Sequence, residues 1–240
     1  MRVLVVTAVP AERDAVTRTF EDPSGAPVPV RRVPGAEIHR AGPFDVVAGG
    51  VGPAAAAAAT AFALVSHDGS DPYGLVVSAG IGGGFAGAAP VGSLVVARRV
   101  VAADLGAETP EGFVPVTGLG FGRDRHIPPR SLVRAAADAT GAVIGDVLTV
   151  STVTGSAGRT AALLTAHPAA AAEAMEGFGV AEAAGAVGVP VLEIRAVSNA
   201  VGPRDRDAWR IGDALAALAT AFGKLAPVLE GWTSHDHHDA

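Results

Sequence analysis

Two short stretches of this chain combine residue types that can carry acid–base chemistry. Met175-Glu176-Gly177 sets one carboxylate between apolar stretches, and about 20 residues later an apolar run ends in the polar cluster Arg195-Ala196-Val197-Ser198-Asn199. Residues 178–188 read as one helix between them, and Pro190 opens a strand over 191–197. In an α/β sheet, ligands bind outside the carboxyl ends of the strands. Glu176 stands just before the helix, and Ser198 and Asn199 just after the strand, so both groups are expected to face one pocket. A second carboxylate, Glu12, follows the first apolar run by a few residues and opens a helix over 11–20 behind Pro10. There it can act as a general base for water, or it can simply complement the positive end of the helix.

Other stretches carry weaker signals. Gly80-Ile81-Gly82-Gly83-Gly84 follows a strand over 75–78 and reads as a Gly-rich turn, either a tight connection or a place where backbone approaches phosphate or sugar. It lacks the dinucleotide-binding pattern, because Phe85 follows and no acidic ribose anchor stands at the usual distance. Gly49-Gly50-Val51-Gly52-Pro53 precedes a helix; an anion at the helix N-terminus is one reading, and a structural turn is favoured. Arg195, counted among the substrate-binding residues, can orient Glu176 or Glu12 through a charged hydrogen bond, or it can make a structural ion pair with Glu193 or a helix. Arg204-Asp205-Arg206-Asp207 reads as a solvated charge run. The tail His235-Asp236-His237-His238 resembles a metal-binding tract but reads as a polar, disordered end. His39, His67, His126 and His167 show no metal-ligand spacing, so no metal is expected.

The elements that must position these groups alternate. Strands are expected at 3–7, 28–33, 38–39, 46–48, 75–78, 94–97, 143–150 and 191–197, and helices at 11–20, 54–67, 131–140, 159–165, 178–188 and 209–229. Residues 169–176 have strong helix propensity. Residues 104–129, rich in Gly and Pro, read as a long functional or mobile excursion. Alternation of this kind predicts a single α/β domain over 1–232, with a central mixed, largely parallel sheet flanked by helices. Residues 233–240 form the polar tail.

Composition narrows the function. The 240 residues are 49% hydrophobic and 18% charged, enough for a substantial core. A net charge of -6 argues against nucleic-acid binding. The absence of cysteine excludes disulfides, thiol chemistry and thiolate metal sites. The first apolar run is too short for a signal peptide, and no stretch reaches the roughly 20 apolar residues of a membrane span. A cytoplasmic location and no membrane association are expected.

Met-Glu-Gly followed by Arg-Ala-Val-Ser and Asn resembles the nucleoside phosphorylase/nucleosidase superfamily, and more closely its methylthioadenosine/S-adenosylhomocysteine nucleosidase branch. Asn199, followed by Gly202-Pro203-Arg204-Asp205, is most similar to the futalosine hydrolases within that branch. The resemblance spans nearly the whole chain, with Glu12, Met175-Glu176-Gly177 and Arg195–Asn199 as its specific anchors. It implies that residues 169–176 approach Glu176 as a strand, against their helix propensity. It also implies that Glu12 activates water, that Glu176 holds the ribose hydroxyls with Met175 against the sugar, and that Gly80 and Ile81 line the ribose side. Val153 and Thr154 would meet the base where relatives place an aromatic, with Phe85, Phe113 or Phe121 as possible stacking groups. Adenine-specific members carry Asp at position 199. An Asn amide donates to N7 or O6 and suits a 6-oxopurine, so Asn199, supported by Ser198, implies a hypoxanthine leaving group.

The resemblance thus implies phosphate-independent hydrolysis of the N-glycosidic bond of futalosine, to hypoxanthine and dehypoxanthine futalosine, in the alternative menaquinone pathway. An arginine of the 204–207 run would hold the substrate's carboxylate. No cofactor is implied, and a homodimer or higher homo-oligomer is expected, with the Ala-rich helix as a suitable interface. Three rival readings stand beside it. A methylthioadenosine/S-adenosylhomocysteine nucleosidase is disfavoured by Asn199. A purine nucleoside phosphorylase is disfavoured because no basic residue accompanies the glycines at 80–84. A non-catalytic purine-binding protein is disfavoured by the retained Glu12 and Glu176.

Overall fold

The computed structural model describes residues 2–21, 24, 26–66 and 72–232; expectations for His67 and for the tail at 233–240 lie outside them. The strands are β1 (Arg2–Thr7), β2 (Val30–Val33), β3 (Ala36–Ala41), β4 (Phe44–Ala48), β5 (Tyr73–Gly84), β6 (Leu94–Ala102), β7 (Gly106–Thr109), β8 (Gly112–Pro115), β9 (Arg125–His126), β10 (Val143–Thr149), β11 (Ala170–Ala174) and β12 (Val191–Ala200). The helices are α1 (Pro10–Arg18), α2 (Pro53–Val65), α3 (Arg130–Thr140), α4 (Ala157–Ala166), α5 (Gly177–Ala186) and α6 (Ile211–Gly231).

One large sheet runs β11-β10-β6-β12-β5-β1-β4-β3-β2. Its parallel ladders join β4, β1, β5 and β12, and separately β6, β10 and β11. Antiparallel pairing links β12 to β6 across the middle and builds the β2–β3–β4 edge. The far end of β5 also pairs antiparallel with β11, Gly83 against Glu173, which curls this end of the sheet round on itself. The expected mixed α/β architecture is borne out.

The run Val3–Val6 is buried on both faces, as continuous apolar strands in a helix-covered sheet must be. Val3 and Val5 join the cluster under α3 and α6, with Phe222 and Leu225. Leu4 and Val6 join the opposite cluster, with Ala56 and Val180 of α2 and α5. Alternation along one strand thereby assigns each helix to a face.

Several local expectations are corrected. Residues 80–84 are not a turn: they continue β5, paired to β12 and β11. Their glycines answer crowding. A Cβ on Gly82 would lie 2.8 Å from the Glu173 carbonyl, and one on Gly84 2.0 Å from that of Ala89. The excursion 104–129 carries its own β7–β8 hairpin and the strand β9, which pairs with β6. Residues 170–174 do form the buried strand that the resemblance implies, against their helix propensity, because pairing with β10 and β5 decides the matter. The final helix starts at Ile211 rather than Trp209. Residues 206–231 are, by length and composition, apolar enough to cross a membrane, contrary to expectation. Here the apolar stripe of α6 (Leu218, Phe222, Leu225, Leu229) packs on the sheet.

Helices α2 and α5 approach closely: a Cβ on Gly179 would meet the Pro53 carbonyl at 2.0 Å. Overpacking of this kind costs about 1–3 kcal/mol. Gly179→Ala is therefore expected to lower unfolding stability in urea by that amount. Gly158→Ala, on α4 with open space around its Cβ position, should leave stability equal or higher by about 0.5–1 kcal/mol.

Candidate active site

A cavity of about 370 Å³ opens at the carboxyl ends of β1, β5, β11 and β12, and its lining includes Glu12, Ile81, Val153, Thr154, Met175, Glu176, Ser198 and Asn199. Groups separated by more than 160 positions in sequence thus share one space because parallel strands deliver their ends to the same rim.

Glu12 is 3% exposed. Its Oε2 accepts from the backbone N–H of Ala8 at 2.9 Å and of Val9 at 3.3 Å, which satisfies donors left open at the start of α1. Its Oε1 accepts from Ile81 N–H at 2.8 Å. The two readings of this residue therefore coexist: the carboxylate caps the helix and lines the cavity. Burial pushes its pKa above the ordinary 4.5, against the opposing pull of Arg195 and the backbone donors. Such a carboxylate is poorly solvated and held in place, two things a general base requires.

Glu176 sits at the N-cap of α5 and is equally buried. Oε1 accepts from Gly52 N–H at 3.2 Å; Oε2 accepts from Arg195 Nη1 at 3.2 Å and Met175 N–H at 3.3 Å. The Gly49–Pro53 turn therefore helps aim this carboxylate, a larger part than a plain turn would play. A carboxylate has roughly four acceptor positions, so capacity remains for a ligand hydroxyl.

Asn199 lies at the end of β12, inside the strand rather than after it. Its Oδ1 accepts from the Ser198 hydroxyl at 2.9 Å and its Nδ2 donates to the Ala200 carbonyl at 3.0 Å. The Ser198 donation fixes the amide's orientation and leaves the second Nδ2 hydrogen available.

Two expected substrate contacts are corrected. Arg195 is 1% exposed and does not line the cavity. Its guanidinium lies behind the carboxylates, donating Nε to Glu193 Oε1 at 2.9 Å and Nη2 to Ser78 Oγ at 3.0 Å, besides the Glu176 bond. Gly80 also stays behind the wall. A Cβ there would lie 2.5 Å from Glu12 Oε1 and 2.8 Å from Arg195 Nη1, so glycine is what lets the acid and the cation approach the strand. Neither residue offers a surface to a ligand.

Two lining residues, Glu173 and Trp209, escaped sequence reasoning. Glu173 is buried and accepts from Thr154 N–H at 2.8 Å and from its hydroxyl, holding the 151–154 segment against the cavity. Its only signal was a charge in an alanine run. Trp209, the one aromatic residue on the cavity wall among the described residues, precedes α6, and the next residue, Arg210, donates its N–H to the Ser198 carbonyl at 2.8 Å. Arg204, on the exposed rim, lies 5.3 Å over the Trp209 ring. None of the proposed stacking phenylalanines reaches this space. Phe85 is core, Phe121 is 63% exposed, and Phe113 lines a separate cavity of about 410 Å³ beside α4. Among the described residues, no group of three or more His, Asp or Glu side chains is gathered as a metal site.

With this geometry in view, relatives are informative. Residues 2–229 match the model of the Phosphorylase superfamily. The chain is 66% identical over 239 residues to a futalosine hydrolase of Streptomyces coelicolor, covering 98% of this chain and 100% of the relative. It is 42% identical over 233 residues to one of Acidothermus cellulolyticus, covering 92% and 89%. Among solved structures, futalosine hydrolase of Helicobacter pylori superposes with a TM-score of 0.79 at 17% identity, covering 95% of this chain and 98% of that one. A 5'-methylthioadenosine/S-adenosylhomocysteine nucleosidase of Neisseria meningitidis superposes with a TM-score of 0.78 at 20% identity, covering 95% and 99%. At those identities the structures speak for the fold, while the sequence relatives speak for the family. The chain belongs to the phosphorylase superfamily and, within it, to the futalosine hydrolase family.

Proposed function

We propose that this protein hydrolyses the N-glycosidic bond of futalosine, releasing hypoxanthine, as a step toward menaquinone. The observation that carries the reading is one cavity lined by two buried carboxylates, Glu12 and Glu176, with the Asn199 amide on the same wall. Water polarised by Glu12 attacks the anomeric carbon. Glu176 accepts hydrogen bonds from the ribose hydroxyls, which strengthen as the sugar gains oxocarbenium character. Asn199, its amide oriented by Ser198, donates to the departing 6-oxopurine and spreads its developing charge. Ile81, Met175, Val153 and Thr154 form the walls against sugar and base. All protons are handled by these side chains and water, so the step needs no cofactor.

Arg204 and Trp209 extend this reading to the far end of the substrate. An arginine on the rim beside an aromatic face suits a carboxylate attached to an aromatic ring. Association into a homodimer or higher homo-oligomer is part of the proposal. The outward face of α2 carries the exposed Phe62 and Val65, and Val51 at its foot also lines the cavity.

The deciding assay measures base release from futalosine, inosine and methylthioadenosine, each with and without phosphate. Hypoxanthine from futalosine at a phosphate-independent rate is expected. Adenine from methylthioadenosine would overturn the role given to Asn199, and a phosphate requirement would make the enzyme a phosphorylase.

Glu12→Gln should lower kcat roughly a hundred- to ten-thousand-fold. The sign of the pH dependence follows from burial. The base must be ionised and its pKa is raised, so kcat/KM should fall on acidification at a pH above the ordinary glutamate value of 4.5. A wild-type profile flat down to that value would contradict the assignment. Arg204→Ala should raise KM for futalosine about tenfold, in line with loss of a charged hydrogen bond at an exposed rim. It should leave KM for inosine, which lacks the carboxylate, unchanged.

A further inference from the structure

Glu193 is a fourth acid that takes no part in the reaction just described. It lies on β12, 0% exposed, and does not line the cavity. Its Oε1 accepts from Arg195 Nε at 2.9 Å, while its Oε2 has no hydrogen-bond partner among the described residues. Burying a carboxylate with half its acceptors unused is costly. The fold makes room for it all the same: a Cβ on Gly177 would lie 2.3 Å from both Glu193 oxygens. The glycine that follows Glu176 is thus the residue that admits Glu193.

Each nitrogen of the Arg195 guanidinium has a partner. Nε goes to Glu193, Nη1 to Glu176 and Nη2 to Ser78 Oγ. Glu12 feels the same cation, and Nη1 and Glu12 Oε1 both crowd the missing Cβ of Gly80. One buried positive charge is therefore shared by three carboxylates, two of which face the cavity and one of which does not. With Glu193 ionised, much of the field of Arg195 is cancelled from behind. With Glu193 neutral, that field falls on Glu176 and Glu12 undiminished.

We propose that Glu193 is a positioning residue that sets, through Arg195, how much positive charge reaches Glu176 and Glu12. The assignment of Glu12 and Glu176 to the reaction rests on the hydrolase reading above; the electrostatic linkage itself does not. Burial raises the Glu193 pKa to about 7, against the pull of Arg195, with Glu176 adding to the rise. The charged groups around it are Arg195 on its own strand, Glu176 at the start of α5 and Glu12 beyond the guanidinium. Its protonation thus changes within the working range of an ordinary enzyme.

The test follows side-chain carboxyl carbons by NMR across a pH titration of protein carrying ¹³C-labelled glutamate. Glu12 is identified by the signal missing from Glu12→Gln, and Glu193 by the one missing from Glu193→Gln. In Glu193→Gln, which keeps an acceptor for Arg195 but cannot ionise, Glu12 should titrate about one pH unit lower than in the wild type. Glu193→Asp keeps the charge and should leave Glu12 where it was. The wild type alone should show a second, smaller step in the Glu12 signal at the pH where Glu193 titrates, a readout that holds even if the glutamine variant fails to fold. An unmoved Glu12 in Glu193→Gln, an equal shift in Glu193→Asp, or a single-step wild-type curve would overturn the proposal. Hypoxanthine release by the wild type, measured alongside, judges the hydrolase reading separately.

Discussion

A single buried cation organises the chemistry of this fold. Arg195 has no access to water, and a charge in that position persists only if the protein replaces its hydration shell. Ser78 from β5, Glu193 from β12 and Glu176 from the start of α5 do so together. Burial opposes the charge of Arg195, yet Glu193, Glu176 and Glu12 outweigh that and hold its pKa above the ordinary value. Two cavity-lining carboxylates, Glu12 and Glu176, can then approach one another in a small space without repelling each other apart. Removing the arginine would strand three acids rather than lose one contact.

That arrangement explains why glycine recurs around it. Gly80 and Gly177 have ordinary backbone angles, since neither is among the residues of positive φ. What they supply is the absence of a side chain where Glu12, Arg195 and Glu193 pass. Gly82 and Gly84 do the same for the close of β5 onto β11 and for the chain returning at Ala89. A motif that reads as flexible is, in the folded molecule, a stretch of strand pressed on by its surroundings.

The distinction also marks what was legible in the sequence. Strand and helix alternation was readable because buried parallel strands and amphipathic helices impose periodicity locally, as Val3–Val6 and α6 illustrate. Glu12, Glu176 and Asn199 were readable as polar residues at element boundaries, and they do share a cavity. The places of Arg195 and Gly80 were not, because whether a strand-end residue faces the cavity or the layer behind it depends on register between β5 and β12. The strand at Ala170–Ala174 was legible through the resemblance alone, since alanine's helix preference points the other way locally and only its neighbours override it. Trp209 was hidden in a helix that starts two residues later than its pattern suggests.

The rim formed by Arg204 and Trp209 has a different standing from the carboxylates beneath it. The acids are interlocked through strands and a shared cation, so a change in any one disturbs the rest. Arg204 and Trp209 lie on a connecting segment between β12 and α6, tied to the sheet near its two ends by the backbone bonds from Val201 to Gly84 and from Arg210 to Ser198. Such a segment can exchange side chains without disturbing the buried carboxylates. Substitution at those positions would reshape the mouth of the cavity while leaving its interior as it stands.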